Sequence, residues 1–295
     1  MKSTRYLPRP LSLGAALVAA FALMVAASTS AQAATAVGLG TADSFVVLAG
    51  VGVTNTNTTT LSGNLGSADG SVIGDTDLVF ASGVNHYGDG VTTGAMLNLE
   101  TAFGAASQPV TVTVSADLGG QELVPGVYFQ ASTMNLSGPA LTLNAGGNPD
   151  AVWIFRAGSD LIVGPGASVN LTNGAQACNV FWQVASSASL DDGADFIGTI
   201  IARTSISLNS AATVEGRVLA LDGTVTLIGN TITRPICVAG GQVTDTPTGG
   251  VSTGDGSTAT GTGIALPLLL GVLLASLTGA GVIAVKRRNR RVPIT

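Results

Sequence analysis

Short runs in which small polar residues alternate with aliphatic residues recur along the middle of the chain. The stretch Thr204 to Gly216, TSISLNSAATVEG, contains two such runs separated by small residues. Successive side chains of a β-strand point to opposite sides, so this alternation predicts short strands with one buried side and one solvent-facing side.

The alternating runs repeat with a period of about 18 residues, which is the length of one coil of a β-solenoid with three short strands per coil. The recurring positions are Ser189-Leu190, Ser207-Leu208 and Thr226-Leu227; Phe196, Val214 and Ile232; and Ile200, Ala202 with Val218, Ala220. The fold predicted from the repeat is therefore an all-β solenoid.

The alternation also assigns the two sides of each strand. The predicted inward residues are Met134, Leu136, Leu141, Leu143, Val169, Leu171, Ile206, Leu208, Val214, Val218, Val225, Leu227 and Ile232. The predicted outward residues are Ser205, Ser207, Thr213, Thr224, Thr226, Thr231 and Thr233. The glycine-rich stretches between the runs fit tight corners.

One segment departs from this rhythm. Between Thr92 and Gln108 the apolar residues recur at helical spacing, which predicts a short amphipathic helix docked along the solenoid. Its predicted buried side comprises Ala95, Met96, Leu99, Ala102, Phe103 and Ala106.

Both ends of the chain carry segments outside the repeat. Residues 1–33 combine basic residues, an apolar run and Ala31-Gln32-Ala33, a pattern typical of a signal peptide. Residues 239–263 are rich in Gly, Thr and Ser, which predicts a flexible stalk behind a domain at 34–238. The uncharged segment 264–285, about 33 Å long as a helix, predicts a transmembrane span. The basic tail 286–295 predicts a cytoplasmic C-terminus and an extracellular domain.

The distribution of charge limits the partners. Eight of the twelve basic residues lie in the predicted signal and tail, so the exported part has four arginines against seventeen carboxylates. Binding to nucleic acid needs a basic patch, so nucleic acid is excluded as a partner.

Cys178 and Cys237 lie in the predicted exported region, where a disulfide between them is expected to persist. Two buried free thiols are the alternative. No CxxC pair is present, and His86 is the single histidine, so the sequence predicts neither a metal site nor a cofactor.

Two small constellations could carry chemistry. His86 and Asp89 lie three residues apart, but no GxSxG nucleophile motif accompanies them, which favours a loop histidine and no enzymatic activity. Asp191, Asp192 and Asp195 cluster at one corner, and their spacing fits a solvated acidic turn better than a Ca²⁺ loop.

Several blocks of the chain, spanning nearly all of Thr35 to Cys237, resemble the bacterial and fungal ice-binding family DUF3494. The blocks are GTADSFVVLAG (Gly40 to Gly50), DLGGQELVPGVYF (Asp117 to Phe129), NPDAVWIFRAGSDL (Asn148 to Leu161), NGAQACNVFWQVASSASL (Asn173 to Leu190), FIGTIIARTSISLNSAATVEGRVLA (Phe196 to Ala220) and NTITRP (Asn230 to Pro235). The resemblance implies a discontinuous triangular β-helix with one helix alongside, and binding to ice crystals.

The resemblance also implies a candidate face, because ice-binding members of that family carry Thr-Ala/Gly-x-Thr/Asn repeats. The matching positions are Pro165 to Ser168, Asp192 to Asp195, Ser210 to Thr213 and Ile228 to Thr231. Only Ser210-Ala-Ala-Thr213 is close to the repeat, and Asp192 and Asp195 bring carboxylates into the same face.

Alternation predicts a second candidate face. It comprises Ser187 and Ser189, Ser205 and Ser207, Thr224 and Thr226 and, upstream, Ser168, Asn170 and Thr172. Rows of short hydroxyl side chains on either face could order water without any reaction.

The resulting hypothesis is a membrane-anchored cell-surface protein that binds ice through a flat solenoid face bearing Ser and Thr. The alternative is a surface structural or adhesion domain of the same fold that binds a glycan or a protein of the cell envelope. The ice surface and the membrane are the partners expected under the first hypothesis.

Overall fold

The computed structural model describes residues 33–238, in which 21 short strands, one α-helix and three turns of 3-10 helix follow one another. Within these residues, no helix is long and apolar enough to cross a membrane. The predicted stalk, transmembrane span and tail at 239–295, and nearly all of the predicted signal peptide, lie outside the described residues.

The strands are short, as the alternating runs predict. They are β1 (Phe45–Ala49), β2 (Gly52–Thr56), β3 (Thr59–Ser62), β4 (Asn64–Ser67), β5 (Ser71–Ile73), β6 (Leu78–Ser82), β7 (Val112–Thr113), β8 (Glu122–Leu123), β9 (Gly126–Gln130), β10 (Met134–Leu136), β11 (Leu141–Asn144), β12 (Trp153–Ala157), β13 (Leu161–Val163), β14 (Val169–Thr172), β15 (Val180–Val184), β16 (Ala188–Leu190), β17 (Asp195–Ala202), β18 (Ile206–Leu208), β19 (Thr213–Ala220), β20 (Thr224–Ile228) and β21 (Thr231–Thr233). The helix α1 is Gly90–Ala105, and the 3-10 turns are Gly40–Ser44, Asp75–Asp77 and Ala177–Asn179.

The strands pair in parallel and form three faces around one core, which confirms the predicted solenoid. The hydroxyl face is the sheet β10-β13-β16-β18-β20-β2-β5. The motif face contains β8, β11, β14, the first residues of β17 and β19, and β21, β3 and β6. The helix face contains β7, β9, β12, β15, the last residues of β17 and β19, and β1 and β4.

Two strands each serve two faces. β17 and β19 pass from the motif face to the helix face at Gly198 and Gly216, which are paired with each other. Gly198 has φ +114°, a backbone conformation that only glycine adopts readily. A Cβ atom on Gly216 would clash with the backbone of Gly198 in the neighbouring coil. Close stacking at this corner therefore requires both glycines.

The order of the coils in space differs from their order along the chain. β1, β2 and β3 of the first coil pair with β19, β20 and β21 of the last one, and β4, β5 and β6 stack beyond them. The last coil is therefore internal: β20 lies between β18 and β2, and β21 lies between β19 and β3. This is the discontinuous β-helix that the family resemblance implies.

A buried polar cluster joins the last coil to the first. The Thr59 hydroxyl donates to the Asn55 side-chain oxygen at 2.7 Å and accepts from the Asn230 backbone N–H at 3.1 Å. The side-chain amide of Asn230 also donates to the backbone carbonyl oxygens of Asn209 and Ala212. Buried polar groups need partners, so these hydrogen bonds specify the register across the junction.

Helix α1 begins after Asp89, whose carboxylate accepts from the backbone N–H groups of Val91 and Thr92. Its side chains Ala95, Leu99 and Ala102 are fully buried against the helix face. The predicted helix is confirmed, although it begins two residues before Thr92 and ends before Gln108.

The core is the stack of inward side chains that the alternation predicts. All thirteen predicted inward residues are buried except Leu171, which is half-buried and packs against the same core. Tyr128, Phe155, Trp182 and Phe196 form a continuous aromatic column, with ring centroids 5.4, 4.0 and 5.0 Å apart. Such pairs contribute about 0.5–1.5 kcal/mol each beyond the burial of their area.

The predicted disulfide is confirmed. Cys178 and Cys237 are bonded, with their Cα atoms 5.8 Å apart. The bond fixes the end of the described chain to the 3-10 turn before β15.

Candidate functional site

The helix face offers no surface for a ligand as extended as a crystal plane. Its outward side chains Ile154, Phe181 and Ile201 are buried because α1 and the segment before β1 pack over them. The hydroxyl face and the motif face, the two candidates identified from the sequence, remain solvent-facing.

The hydroxyl face presents two rows of outward side chains. Row one contains Ser187, Ser205, Thr224, Gly52 and Ser71. Row two contains Asn135, Ile162, Ser189, Ser207, Thr226, Thr54 and Ile73. Neighbouring strands of a sheet lie about 4.8 Å apart, and alternate residues of one strand lie about 6.6 Å apart. The two rows therefore form a regular grid of short side chains.

None of the seven strands of the hydroxyl face contains a charged residue. Four adjacent strands carry hydroxyls in row two, and Ile162 and Ile73, 41% and 63% exposed, continue that row on either side. The β-branched side chains among them, Thr224, Thr226, Thr54, Ile162 and Ile73, have restricted rotamers, which stiffens the grid. The seven strands combine hydroxyl groups with exposed methyl groups and contain no strongly hydrated ion.

The two rows differ in how their hydroxyls are used. In row one, the Ser205 hydroxyl accepts from the Thr224 backbone N–H at 3.1 Å, and the Ser187 hydroxyl accepts from the Ser205 N–H at 3.4 Å. In row two, the hydroxyls of Ser189, Ser207, Thr226 and Thr54 make no hydrogen bond to another described residue. Row one thus strengthens the stack, while the hydroxyls of row two are available to water.

A carboxylate closes row one at the side of the stack nearest β13. Asp160 accepts from the Ser187 backbone N–H at 3.1 Å and from the Ser159 hydroxyl at 2.8 Å. The hydrogen bond from the Ser159 hydroxyl, followed by the one from Ser187, lowers the pKa of Asp160. Asp160 precedes β13 as Ser187 precedes β16 and Ser205 precedes β18, so its charge occupies the row-one position of that coil, just outside the strand.

The motif face is more heavily charged. Its outward row one contains Ser168, Asp195, Thr213, Thr231, Thr60 and Val79, and its row two contains Asn170, Ile197, Glu215, Thr233 and Ser62. Asp195 and Glu215 are exposed, and Glu122 adds a third carboxylate on β8. Removing a carboxylate from water is costly, so these groups oppose contact with ice.

Ser210 to Thr213, the motif closest to the family repeat, forms hydrogen bonds within the protein. The Thr213 hydroxyl donates to Asp195 at 2.7 Å, and the Ser210 backbone N–H donates to Asp192 at 2.9 Å. Asp191 accepts from the Asn209 side chain at 2.9 Å. The three carboxylates of the acidic corner therefore bind the next coil separately, and no group of three metal-ligating side chains occurs among residues 33–238.

One predicted grouping is wrong. Ser168, Asn170 and Thr172 were expected to continue the edge of Ser189 and Ser207, but β14 pairs with β11, and Ser168 pairs with Asp195 on the motif face. The neighbour of Ser189 on the upstream side is Ile162. Ala188 pairs with Leu161, 27 residues earlier and not 18, so counting back by a constant period reaches the wrong face.

Four hydroxyl residues of the first coil were missed: Thr54 and Thr56 on β2, and Thr60 and Ser62 on β3. They pair with Thr226, Ile228, Thr231 and Thr233 of the last coil. The similarity of VTNTNTTTLS (Val53 to Ser62) to VTLIGNTIT (Val225 to Thr233) could have revealed them, but these segments are separated by most of the domain.

His86 and Asp89 have a structural role. One Asp89 oxygen accepts from the N–H groups that begin α1, and the other contacts His86 Nδ1 at 2.9 Å. The backbone hydrogen bond from Thr92, and then the contact with His86, lower the pKa of Asp89. Both oxygens of the carboxylate are thus engaged within the protein, one at the start of α1 and the other at His86.

A cavity of about 480 Å³ lies beside the helix face, between the segment Val37 to Asp43 and the segment Arg234 to Cys237. The buried Arg217 lines it, but its guanidinium donates to the backbone and the carboxylate of Asp43 at 2.9 and 2.6 Å. Burial lowers the pKa of Arg217, and the charge of Asp43 partly opposes this effect. The ion pair occupies the groups that could otherwise bind a ligand.

The fold and the open faces define a class of protein: a discontinuous β-solenoid with a helix alongside and a solvent-facing sheet whose strands carry hydroxyls and no charged residue. The Ice-binding-like family model matches residues 47–233, so the chain belongs to the Ice-binding-like family.

Curated relatives share parts of the chain. An ice-binding protein of Nostoc sp. (strain HG1) is 37% identical over 194 residues, which cover 65% of this chain and 71% of that protein. An ice-binding protein of Colwellia sp. is 42% identical over 121 residues, 41% of this chain and 46% of that protein.

Solved structures agree with the fold. An ice binding protein from an Antarctic biological consortium superposes with a TM-score of 0.67 at 39% identity, covering 70% of this chain and 94% of that one. The ice-binding protein of Antarctomyces psychrotrophicus gives 0.66 at 38% identity, covering 68% and 100%.

Proposed function

We propose that this protein binds ice and that the hydroxyl face is its contact surface. The observation that carries the proposal is the grid of two rows on a seven-stranded sheet without a charged residue. The similarity to ice-binding proteins of bacteria and fungi supports ice as the ligand, and the geometry of the grid supports the hydroxyl face as the contact surface.

The physical basis is the ordering of water on a regular surface. The hydroxyls of row two can hydrogen-bond to water, while the methyl groups of threonine and isoleucine beside them make contact with disordered water unfavourable. The short side chains lose little rotamer entropy when a solid surface covers them. A rigid grid therefore presents water molecules to the crystal without first having to become ordered itself.

The motif face is the weaker candidate for physical reasons. Asp195 and Glu215 stand among its threonines, and contact with ice would remove both carboxylates from liquid water. On the hydroxyl face the corresponding strands present serine or threonine at the same coils. The proposed mechanism needs no catalytic group and no cofactor.

The unmodified protein should partition into a slowly growing ice crystal and should inhibit recrystallisation at micromolar concentration. The same protein, reduced, alkylated and shown by circular dichroism to be unfolded, is the control, because it keeps the sequence but loses the grid. A folded protein that stays in the liquid and leaves recrystallisation unchanged would contradict the proposal. Capture of a cell-envelope glycan or protein by such a preparation would favour the adhesion alternative.

We further propose that the domain is exported and tethered to the membrane, with residues 1–33 as signal peptide, 239–263 as stalk and 264–285 as anchor. The disulfide between Cys178 and Cys237 supports export, because such bonds persist outside the cytoplasm. A tether would hold the cell at the ice surface, with the basic tail 286–295 inside.

Protease added to intact cells should then remove the domain, and the intact protein should sediment with membranes. Deletion of residues 264–295 should release the domain into the medium. A full-length protein that resists external protease and stays soluble after lysis would contradict this arrangement.

A further inference from the structure

The last described residues are attached to the middle of the solenoid. After β21 the chain reaches Cys237, which is bonded to Cys178 in the turn before β15. Beyond the disulfide, the Val238 backbone N–H donates to the Gln176 side-chain oxygen at 2.8 Å, and the Gln176 amide donates to the Val238 carbonyl at 3.0 Å. These contacts, here called the clamp, hold the point where the chain leaves the domain.

We propose that the disulfide of the clamp is a mechanical device that protects the hydroxyl face from tension applied through the chain after Val238. With the disulfide intact, such tension enters the domain at Cys178 and does not pull directly on the end of β21. Without the disulfide, the tension acts on β21 directly. The relevance to the cell rests on the proposed ice binding and tethering, since these would generate the tension.

β21 is a weak point for a pulling force. It has three residues, of which Thr231 and Thr233 are exposed and only Ile232 is buried. The next strand toward the N-terminus is β20, which carries Thr224 and Thr226 on the hydroxyl face. A chain pulled from its end would therefore release β21 first and β20 second.

The internal position of the last coil makes this release damaging. In a solenoid stacked in chain order, the last coil lies at one end of the stack, and its loss shortens the surface by one strand. Here β20 lies between β18 and β2, so its loss would divide the grid between Ser207 and Thr54. Peeling would also remove Ile232 from the core.

Cys178 offers a stronger point of attachment. It lies two residues before β15, whose five residues are all buried and which pairs with β12 on one side and β17 on the other. Trp182 stacks on Phe155 and donates through Nε1 to the Ile197 carbonyl at 3.0 Å. The adjacent Asn179 side chain donates to the Pro149 carbonyl. Extraction of this segment requires many contacts to break together.

The proposal can be tested by stretching single molecules of the full chain in detergent micelles, above freezing and without ice. One handle is placed at the exposed turn of Gly138, next to the hydroxyl face, and the other at the C-terminus. The oxidised protein should show no short step before the domain yields. After reduction in place, a separate low-force step should appear, of roughly 50 Å for the chain from Thr224 to Val238 at about 3.3–3.6 Å per residue.

The variant Gln176→Leu is the matched control, because it removes the side-chain hydrogen bonds to Val238 and keeps the disulfide; it should behave like the oxidised protein. A double variant, Cys178→Ala with Cys237→Ala, should reproduce the short step, and reduction of the folded protein decides the matter if that variant does not fold. If the disulfide only adds general stability, its reduction would lower every rupture force together without a separate step. This result would overturn the proposal. Because no ice is present, the outcome is independent of whether the domain binds ice.

Discussion

Replacing Thr226 with tyrosine should reduce the ice affinity of the protein at least about tenfold, the factor that corresponds to about 1.4 kcal/mol of binding free energy. Thr226 lies inside row two, between Ser207 and Thr54. A phenol ring there would rise above the neighbouring hydroxyls and hold a flat crystal surface away from both rows. Tyrosine is well tolerated in β-strands, so the fold should persist. Partition into ice and thermal hysteresis, compared at equal protein concentration, measure the effect.

Thr231→Tyr provides the matched control. Thr231 is an outward threonine on β21, the strand that follows β20, but it lies on the motif face. This variant should keep most of the affinity, and circular dichroism should show that both variants unfold at similar temperatures. If Thr231→Tyr abolishes binding while Thr226→Tyr preserves it, the motif face is the contact surface and the proposed assignment is wrong.

Replacing Gly216 with alanine should cost more than about 4 kcal/mol of unfolding free energy, which is exceptional for one added methyl group. The added Cβ would meet the backbone of Gly198, which cannot move aside as a flexible side chain could. The two coils would have to separate at the corner where β17 and β19 pass between faces. Urea denaturation, with the free energy of unfolding extrapolated to water, gives the measurement.

The same substitution at Gly104 should have the opposite sign. Gly104 lies in α1, and a Cβ there would meet nothing within 4 Å. Alanine is the better helix former by about 1 kcal/mol in a helix interior, so Gly104→Ala should leave stability unchanged or raise it. Equal destabilisation by both variants would mean that glycine flexibility, and not close stacking of coils, explains the effect at Gly216.

The sequence predicts the solenoid well because the solenoid is specified by side-chain patterns that are local and periodic along the chain. Alternation within each run determines which side chains turn inward, and Ile206, Leu208 and Val214 are buried as predicted. The offset of about 18 residues predicts which side chains stack, as the pairing of Ser189 with Ser207 confirms. The helix follows from its own spacing of apolar residues.

The missed features depend on contacts between segments distant in the chain. No period relates Thr54 to Thr226, because the first coil reaches the last one only after the intervening coils have formed. The placement of Ser168 failed for a related reason: an irregular segment before β15 changes the count of residues per coil. The hydrogen bond from Thr213 to Asp195 also depends on the fold, since it joins adjacent coils.

The internal last coil also determines at which stage of synthesis the hydroxyl surface can form. The ribosome produces β1 to β6 first, yet these strands stack on β19, β20 and β21, which are among the last residues of the domain to be made. Contacts of such long sequence separation form late in folding. The uninterrupted hydroxyl surface therefore exists only once the domain has been made in full. A chain whose synthesis stops early contains most of the repeats but lacks the strand that joins β18 to β2.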